Sequence, residues 1–340
     1  MASPVSTWLY PTPSGLYCAP GGFHVDPVVP VDRAVITHGH ADHARAGHRH
    51  VLATAQTLAI MGVRYGAEFA GATQALRYGE TLTVGSVAVT LHPAGHVLGS
   101  AQVAMAHGGA RAVVSGDYKR RRDPTCPAFE PVACDVFVSE ATFGLPVFRH
   151  PDDAGEVAKL LRSLALFPDR SHVVGVYALG KAQRLIRLIR EAGWDRPIHI
   201  HGALKALCDL YEGLGVGLGD LRPATLGPGG AGKAAFAGAL VLAPPSALAD
   251  RWSRRLADPV SAMASGWMGV RARARQRGAE LPLVISDHAD WDELTATFED
   301  VGAPEIWITH GREEALVHWA RQRGFDAKAL SLAGRDEEAE

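Results

Sequence analysis

The stretch THGHADHARAGH, residues 37–48, most constrains what this chain can fold into. It sets His38, His40, Asp42, His43 and His48 within a dozen positions. Aspartate is rarely found fully buried, and histidine only sometimes. The stretch therefore calls for an architecture that gathers polar side chains at one place. The preceding RAVI reads as an apolar strand running into the cluster. Two apart on extended chain, His38 and His40 point to one side. Asp42 and His43 follow where a helix should begin. Three imidazoles and a carboxylate suit zinc or a similar borderline ion. A pair of divalent ions needs about seven or eight ligands, more than this stretch holds. The missing ligands are expected at the ends of other strands: His96 in PAGHVLGSAQ, Asp117 in VVSGDYK and His310 in WITHGRE.

The chain has 340 residues, which suggests about two domains. Its first third reads as short strands separated by turns, with polar residues at the strand tips. VLATAQTLAIMGVRYG continues a strand into a helix, and Gly85 splits two alternating strands in ETLTVGSVAVTLHP. From HVVGVYALG onward, strands alternate with helices, the pattern of a parallel α/β unit. KAQRLIRLIREAGW carries an apolar stripe at helical spacing, ADRWSRRLAD (249–258) is a helix candidate, and LGPGGAGKAAFAG (226–238) is a loop. Two further strands, LPLVIS and EIWIT, each lead to a histidine and then a helix.

HxHxDH, then a histidine in GH, then an aspartate in SGD, resembles the metallo-β-lactamase superfamily. VSEATFG with Glu140, SDHAD with His288 and THG with His310 resemble the extra motifs of its β-CASP nucleases. That group holds Artemis-like DNA nucleases and the RNA-cleaving nuclease of polyadenylation. YALGKAQRL and ASGWM look most similar to the bacterial ligase-associated DNA exonucleases. The resemblance implies an α/β fold: an αββα sandwich at 1–148 and 283–340, with an inserted β-CASP cap at 149–282. It implies two divalent ions, zinc or manganese. His38, His40 and His96 would hold one, Asp42, His43 and His310 the other, and Asp117 would bridge. His288 would contact the scissile phosphate and donate a proton, Glu140 would orient His288, and Asp26 in FHVDP would orient ligands. A histidine such as His310 at the third extra motif is linked with RNA-directed members, although ligase-associated relatives carry it too. A functional link to a DNA ligase and a helicase is implied by the resemblance alone.

Charge distribution bears on the partner. Residues 145–285 carry 19 Lys and Arg against 12 Asp and Glu, in a chain of net charge −2 that ends in the acidic RDEEAE. A basic middle section suits a negatively charged partner such as DNA or RNA. Lys119 and Arg120 in KRRR (119–122), Lys181 and Gln183 in LGKAQR, and Arg271 and Arg273 ahead of the strand to His288 are the expected phosphate contacts. No run of about 18 apolar residues predicts a membrane span. The N-terminus shows no secretory pattern, and four scattered cysteines read as reduced thiols of a cytoplasmic protein. The remaining readings are an RNA-processing nuclease, a silent nucleic-acid-binding scaffold and a small-molecule hydrolase. Each histidine outside the set, and the second HxH at 199–201, reads as surface or core.

Overall fold

The computed structural model describes residues 3–225, 233–253, 256 and 258–332. The chain divides into two compact units, one of residues 1–149 with 288–340 and one of residues 150–287. The sequence reading placed these boundaries after 148 and 282; the second unit runs on through Asp287. The acidic tail and most of the 226–238 loop lie outside the described residues.

The first unit opens with six short strands: β1 (Leu9–Thr12), β2 (Gly15–Cys18), β3 (Phe23–Val25), β4 (Arg33–Val35), β5 (His48–Ala53) and β6 (Ala70–Ala75). They form one sheet in that order. Helix α1 (Ala55–Tyr65) lies between β5 and β6, and the Thr54 side chain caps it by accepting from the Thr57 N–H. Five more strands follow: β7 (Thr81–Val84), β8 (Val87–Pro93), β9 (Ala101–His107), β10 (Ala110–Val114) and β11 (Val136–Ala141).

The second unit supplies α2 (Asp153–Leu166), β12 (His172–Gly175), α3 (Lys181–Glu191), β13 (Ile198–Ile200), α4 (Gly202–Gly213) and β14 (Leu221–Pro223). After these come β15 (Leu240–Ala243), α5 (Pro245–Leu248), β16 (Val260–Ala264), α6 (Arg271–Gln276) and β17 (Leu281–Leu283). Its six strands pair in parallel in the order β14-β13-β15-β12-β16-β17. Of the helix expected over 249–258, residues 254, 255 and 257 lie outside the described residues, and the described residues of the span form no α-helix. A four-residue helix starts earlier, at Pro245, whose fixed φ suits a first helical turn, and bends and turns follow it through 252.

The chain then completes the first unit with α7 (Trp291–Val301), β18 (Glu305–Gly311), α8 (Glu313–Gln322) and β19 (Asp326–Ala329). Strands β18 and β19 extend the second sheet to the order β19-β18-β11-β10-β9-β8-β7. One apolar layer joins the two sheets, with Leu16, Phe23, Val25 and Val35 against Val89, Val103, Met105 and Val138. The outer face of the first sheet packs on α1 through Ile36, Val51 and Met61. The outer face of the second packs on α7 and α8 through Phe137, Ile306, Phe298 and Leu316. Helix, sheet, sheet, helix is the αββα sandwich, an arrangement that buries both faces of each sheet. Among the described residues no helix is long and apolar enough to cross a membrane.

Candidate metal centre

Strand β4 stops at Val35, short of the strand end expected to carry His38 and His40. The reason is the neighbouring parallel strand. Asp26 follows β3, and its Oδ1 takes the Thr37 N–H at 2.8 Å. Asp26 holds φ at +45°, a strained conformation for a residue other than glycine. The cluster therefore rides a loop. No helix begins at Asp42; a tight turn closes there, with the Ala44 N–H on the His40 carbonyl at 2.7 Å.

The other donors arrive from strand ends. His96 follows β8, where Ser100 Oγ accepts from the His96 and Val97 N–H groups at 3.1 and 3.2 Å. Strands β10, β11 and β18 are parallel neighbours. Asp117 follows β10, Glu140 lies in β11, and His310 lies near the end of β18 with φ at +59°. Gly116 turns the chain into Asp117 at φ +58°, and a Cβ there would stand 2.7 Å from the Thr37 side chain.

The structure brings seven predicted donors into two groups. His38 Nε2 and His96 Nε2 lie 3.1 and 3.0 Å from His40 Nδ1, and 3.4 and 3.8 Å from Asp117 Oδ2. His43 Nε2 lies 3.5 Å from Asp42 Oδ2 and 3.3 Å from Asp117 Oδ2. His310 Nε2 is 3.9 Å from Asp42 Oδ2 and 3.9 Å from Asp117 Oδ1. Asp117 belongs to both groups. Donor atoms around a tetrahedral zinc stand about 3.3 Å apart, given metal–nitrogen bonds near 2.0–2.1 Å. The observed spacings bracket that value. Asp117 is buried, and no described residue donates a hydrogen bond to its Oδ1. A buried carboxylate oxygen in that state is costly unless a cation faces it. The residues therefore fit a pair of divalent ions.

Protonation agrees with ligation. Burial, followed by the charge on His43, lowers the His38 imidazole to about 4, against the pull of Asp117. Burial alone would raise the Asp117 and Asp42 carboxyls. The histidines, His43 foremost, outweigh it and hold both below the usual carboxylate range.

Supporting contacts orient the rings. Asp26 Oδ2 stands 2.8 Å from His43 Nδ1 and accepts the Thr37 hydroxyl at 2.6 Å. Thr37 Oγ1 in turn lies 3.1 Å from His38 Nδ1. One buried carboxylate thus reaches a ring of each donor group. Sequence reasoning passed over Thr37, although it stands directly before the first histidine. Glu140 holds His288: its Oε2 and Oε1 stand 3.0 and 3.2 Å from His288 Nδ1, and Oε1 accepts the Tyr118 N–H at 2.7 Å. The His288 ring tilts beside His96, with centroids 4.6 Å apart.

Three of the residues expected to contact phosphate are buried, against the exposure that role calls for. Lys119 is 1% exposed, with Nζ 3.0 Å from both the His288 carbonyl and Glu293 Oε2. Lys181 is buried, with Nζ 3.2 Å from Asp287 Oδ1 and stacked over Tyr177. Gln183 is buried and donates to the Ala178 carbonyl at 3.0 Å. The two ammonium groups and the Gln183 amide nitrogen meet partners inside the protein, as buried charged and polar donors require. Arg120 pairs with Asp300 at 2.5 Å. In the second unit Arg271 is exposed, and Arg273 lies 4.0 Å over the Trp267 ring. His48 stays structural, its Nδ1 accepting the Val31 N–H at 3.2 Å.

No family model matches the chain. It is 30% identical to a protein of Opitutus terrae named "Probable DNA ligase", over 96% of this chain and 31% of that protein. It is 35% identical to the "Endoribonuclease ysh1" of Emericella nidulans, over 36% of this chain and 14% of that one. It is 26% identical to "Ribonuclease TTHA0252" of Thermus thermophilus, over 93% of this chain and 88% of that protein. The chain thus spans under a third of the first of these relatives. A solved structure described as a protein of unknown function from Enterococcus faecalis shares the fold at a TM-score of 0.55 and 13% identity, over 81% of this chain and 74% of that one.

Proposed function

We propose a nuclease function from one premise: the chain belongs to the β-CASP group of the metallo-β-lactamase superfamily. The activity is hydrolysis of phosphodiester bonds, and the preferred reading is a DNA exonuclease acting in repair. The observation that carries it is the shared Asp117 between two donor groups, one of His38, His40 and His96 and one of Asp42, His43 and His310. These residues would hold two divalent ions, zinc or manganese, which when bound supply Lewis acidity toward water and toward the phosphodiester oxygens. Asp26 and Thr37 hold the His43 and His38 rings in place. With its Nδ1 committed to Glu140, His288 donates a proton to the leaving oxygen through Nε2.

DNA as substrate is supported by the relative named a DNA ligase, which aligns with nearly the whole chain. It also fits an enzyme working beside a ligase and a helicase in the cytoplasm. Exposed Arg271, with Arg273, gives the second unit cations for phosphates. A second reading, an RNA-processing nuclease, is favoured by relatives named endoribonuclease and ribonuclease, the latter covered over 88% of its length, and by His310.

The test incubates the protein and zinc or manganese with end-labelled single-stranded DNA, duplex DNA and RNA, carrying 5′-phosphate or 5′-hydroxyl. A ladder from one end on DNA supports the first reading. RNA cleavage with DNA untouched supports the second. No cleavage of any substrate by metal-loaded protein rejects both.

A further inference from the structure

We propose that Lys119 is a positioning residue: its buried ammonium clamps the backbone of His288 and so sets that ring against Glu140. The inference deepens the nuclease reading and rests on it for its catalytic consequence. It gives Lys119 a role other than the phosphate contact expected from the sequence.

Residues 117–119 act as a template. Asp117 is the carboxylate shared by both donor groups. The Tyr118 N–H donates to Glu140 at 2.7 Å, and the Tyr118 carbonyl accepts the Ala289 N–H at 2.7 Å. Lys119 Nζ donates to the His288 carbonyl at 3.0 Å. The peptide that follows His288 is thus held at both its polar atoms, from two successive residues of one short segment. The ring of His288 rests on Glu140, which the same segment also holds.

The ammonium charge is offset by Glu293. Glu293 Oε2 lies 3.0 Å from Lys119 Nζ and also accepts the Asp290 N–H at 3.1 Å. Its Oε1 accepts the Arg121 N–H at 2.7 Å. Asp290 and Glu293 form the capping box that starts α7, two residues past His288. Burial works against the charge on Glu293, but Lys119, the Asp290 N–H and Arg121 prevail and keep the carboxyl below its usual range. The clamp therefore ties the metal-ligand segment, the His288 loop and the start of α7 into one network. A buried ion pair of this kind is a poor source of stability, since apolar residues of similar size often do as well. What the pair provides is a fixed donor to a particular carbonyl, and small misplacements of a reacting group cost rate steeply.

The test compares wild type, Lys119→Met, Lys119→Arg and the double variant Lys119→Met/Glu293→Gln. The double variant removes both charges, so it remains informative if Lys119→Met alone does not fold. In a folded variant lacking the ammonium, kcat should fall at least about 10-fold while KM and bound metal hold within about twofold. Lys119→Arg should recover part of the rate. Amide hydrogen exchange at residues 286–290 should quicken about 10-fold or more, while the 36–44 loop is unchanged. A folded double variant with wild-type kcat overturns the proposal, as does a raised KM with kcat intact, the signature of a substrate contact. If wild type cleaves no nucleic acid, the nuclease reading fails by itself. The exchange rates still decide the clamp, and unchanged protection at 286–290 overturns it.

Discussion

The Thr37 hydroxyl lies 2.6 Å from Asp26 Oδ2 and 3.1 Å from His38 Nδ1. A hydroxyl that donates to the carboxylate and accepts from the ring leaves His38 Nε2 with its lone pair toward Asp117 and His40. Thr37→Val removes both contacts while keeping the shape. Its affinity for the first metal ion should fall about 10- to 100-fold by chelator competition, the usual effect of losing such a contact. Thr37→Ser should retain most of it. Equal affinity in the valine variant would show that the hydroxyl does not orient His38.

Asp117 is common to both donor groups, whereas His96 serves one. Elemental analysis of wild type should find two ions per chain. His96→Ala should lose one, and Asp117→Ala should weaken both. Asp42→Ala and His43→Ala should abolish cleavage with the circular dichroism spectrum retained. Full turnover by a folded Asp42→Ala/His43→Ala protein would reject the ligand assignment.

Glu140→Gln tests the His288 orientation. The amide keeps the size of the side chain and loses the charge that favours a proton on His288 Nδ1. The expected result is a fall in kcat of about 100-fold or more with metal content unchanged, within the range for a general acid. A variant that keeps wild-type kcat would remove His288 from the proposed proton transfer.

Acid should loosen the metal-free fold through His38. Burial, with the His43 charge next, holds this ring at about 4, below its ordinary value of 6.5. Between those values the unfolded chain binds a proton that the folded chain does not. The contribution is complete above the unfolded pKa and is lost as the pH falls through the folded one. In chelator-treated protein the urea midpoint should drop between about pH 7 and about pH 4.5, and His38→Gln should flatten the drop. Identical slopes in the two proteins would count against this origin.

Two glycines should respond in opposite directions. Gly311 has φ +136°, and a Cβ there would stand 2.2 Å from the Ala141 carbonyl oxygen. Gly311→Ala should destabilise by more than about 2 kcal/mol through strain and displaced backbone. Gly62 lies within α1, and a Cβ there meets nothing within 4 Å. Gly62→Ala should stabilise by about 0.5–1 kcal/mol. Urea unfolding reads both.

The family resemblance and the run of strands and helices were legible because they are local. Spacing and residue type put HxHxDH after a strand, His96 after β8 and Asp117 after β10. Alternating strands and helices after residue 170 marked the parallel sheet of the second unit. The chemistry of the donors was written in their identities, since imidazoles and carboxylates grouped at strand tips have few other uses. Local signals failed where a distant partner decided the outcome. The cluster sits on a loop because Asp26 takes the Thr37 N–H that a strand would have paired. Lys119 looked like a surface cation in a basic run, yet it is buried, because Glu293, 174 residues onward, and the His288 carbonyl meet it inside the protein. Sequence sets which groups are present and how they leave the local backbone. Only the tertiary structure decides which charge is desolvated and against what, because that depends on contacts no short window contains.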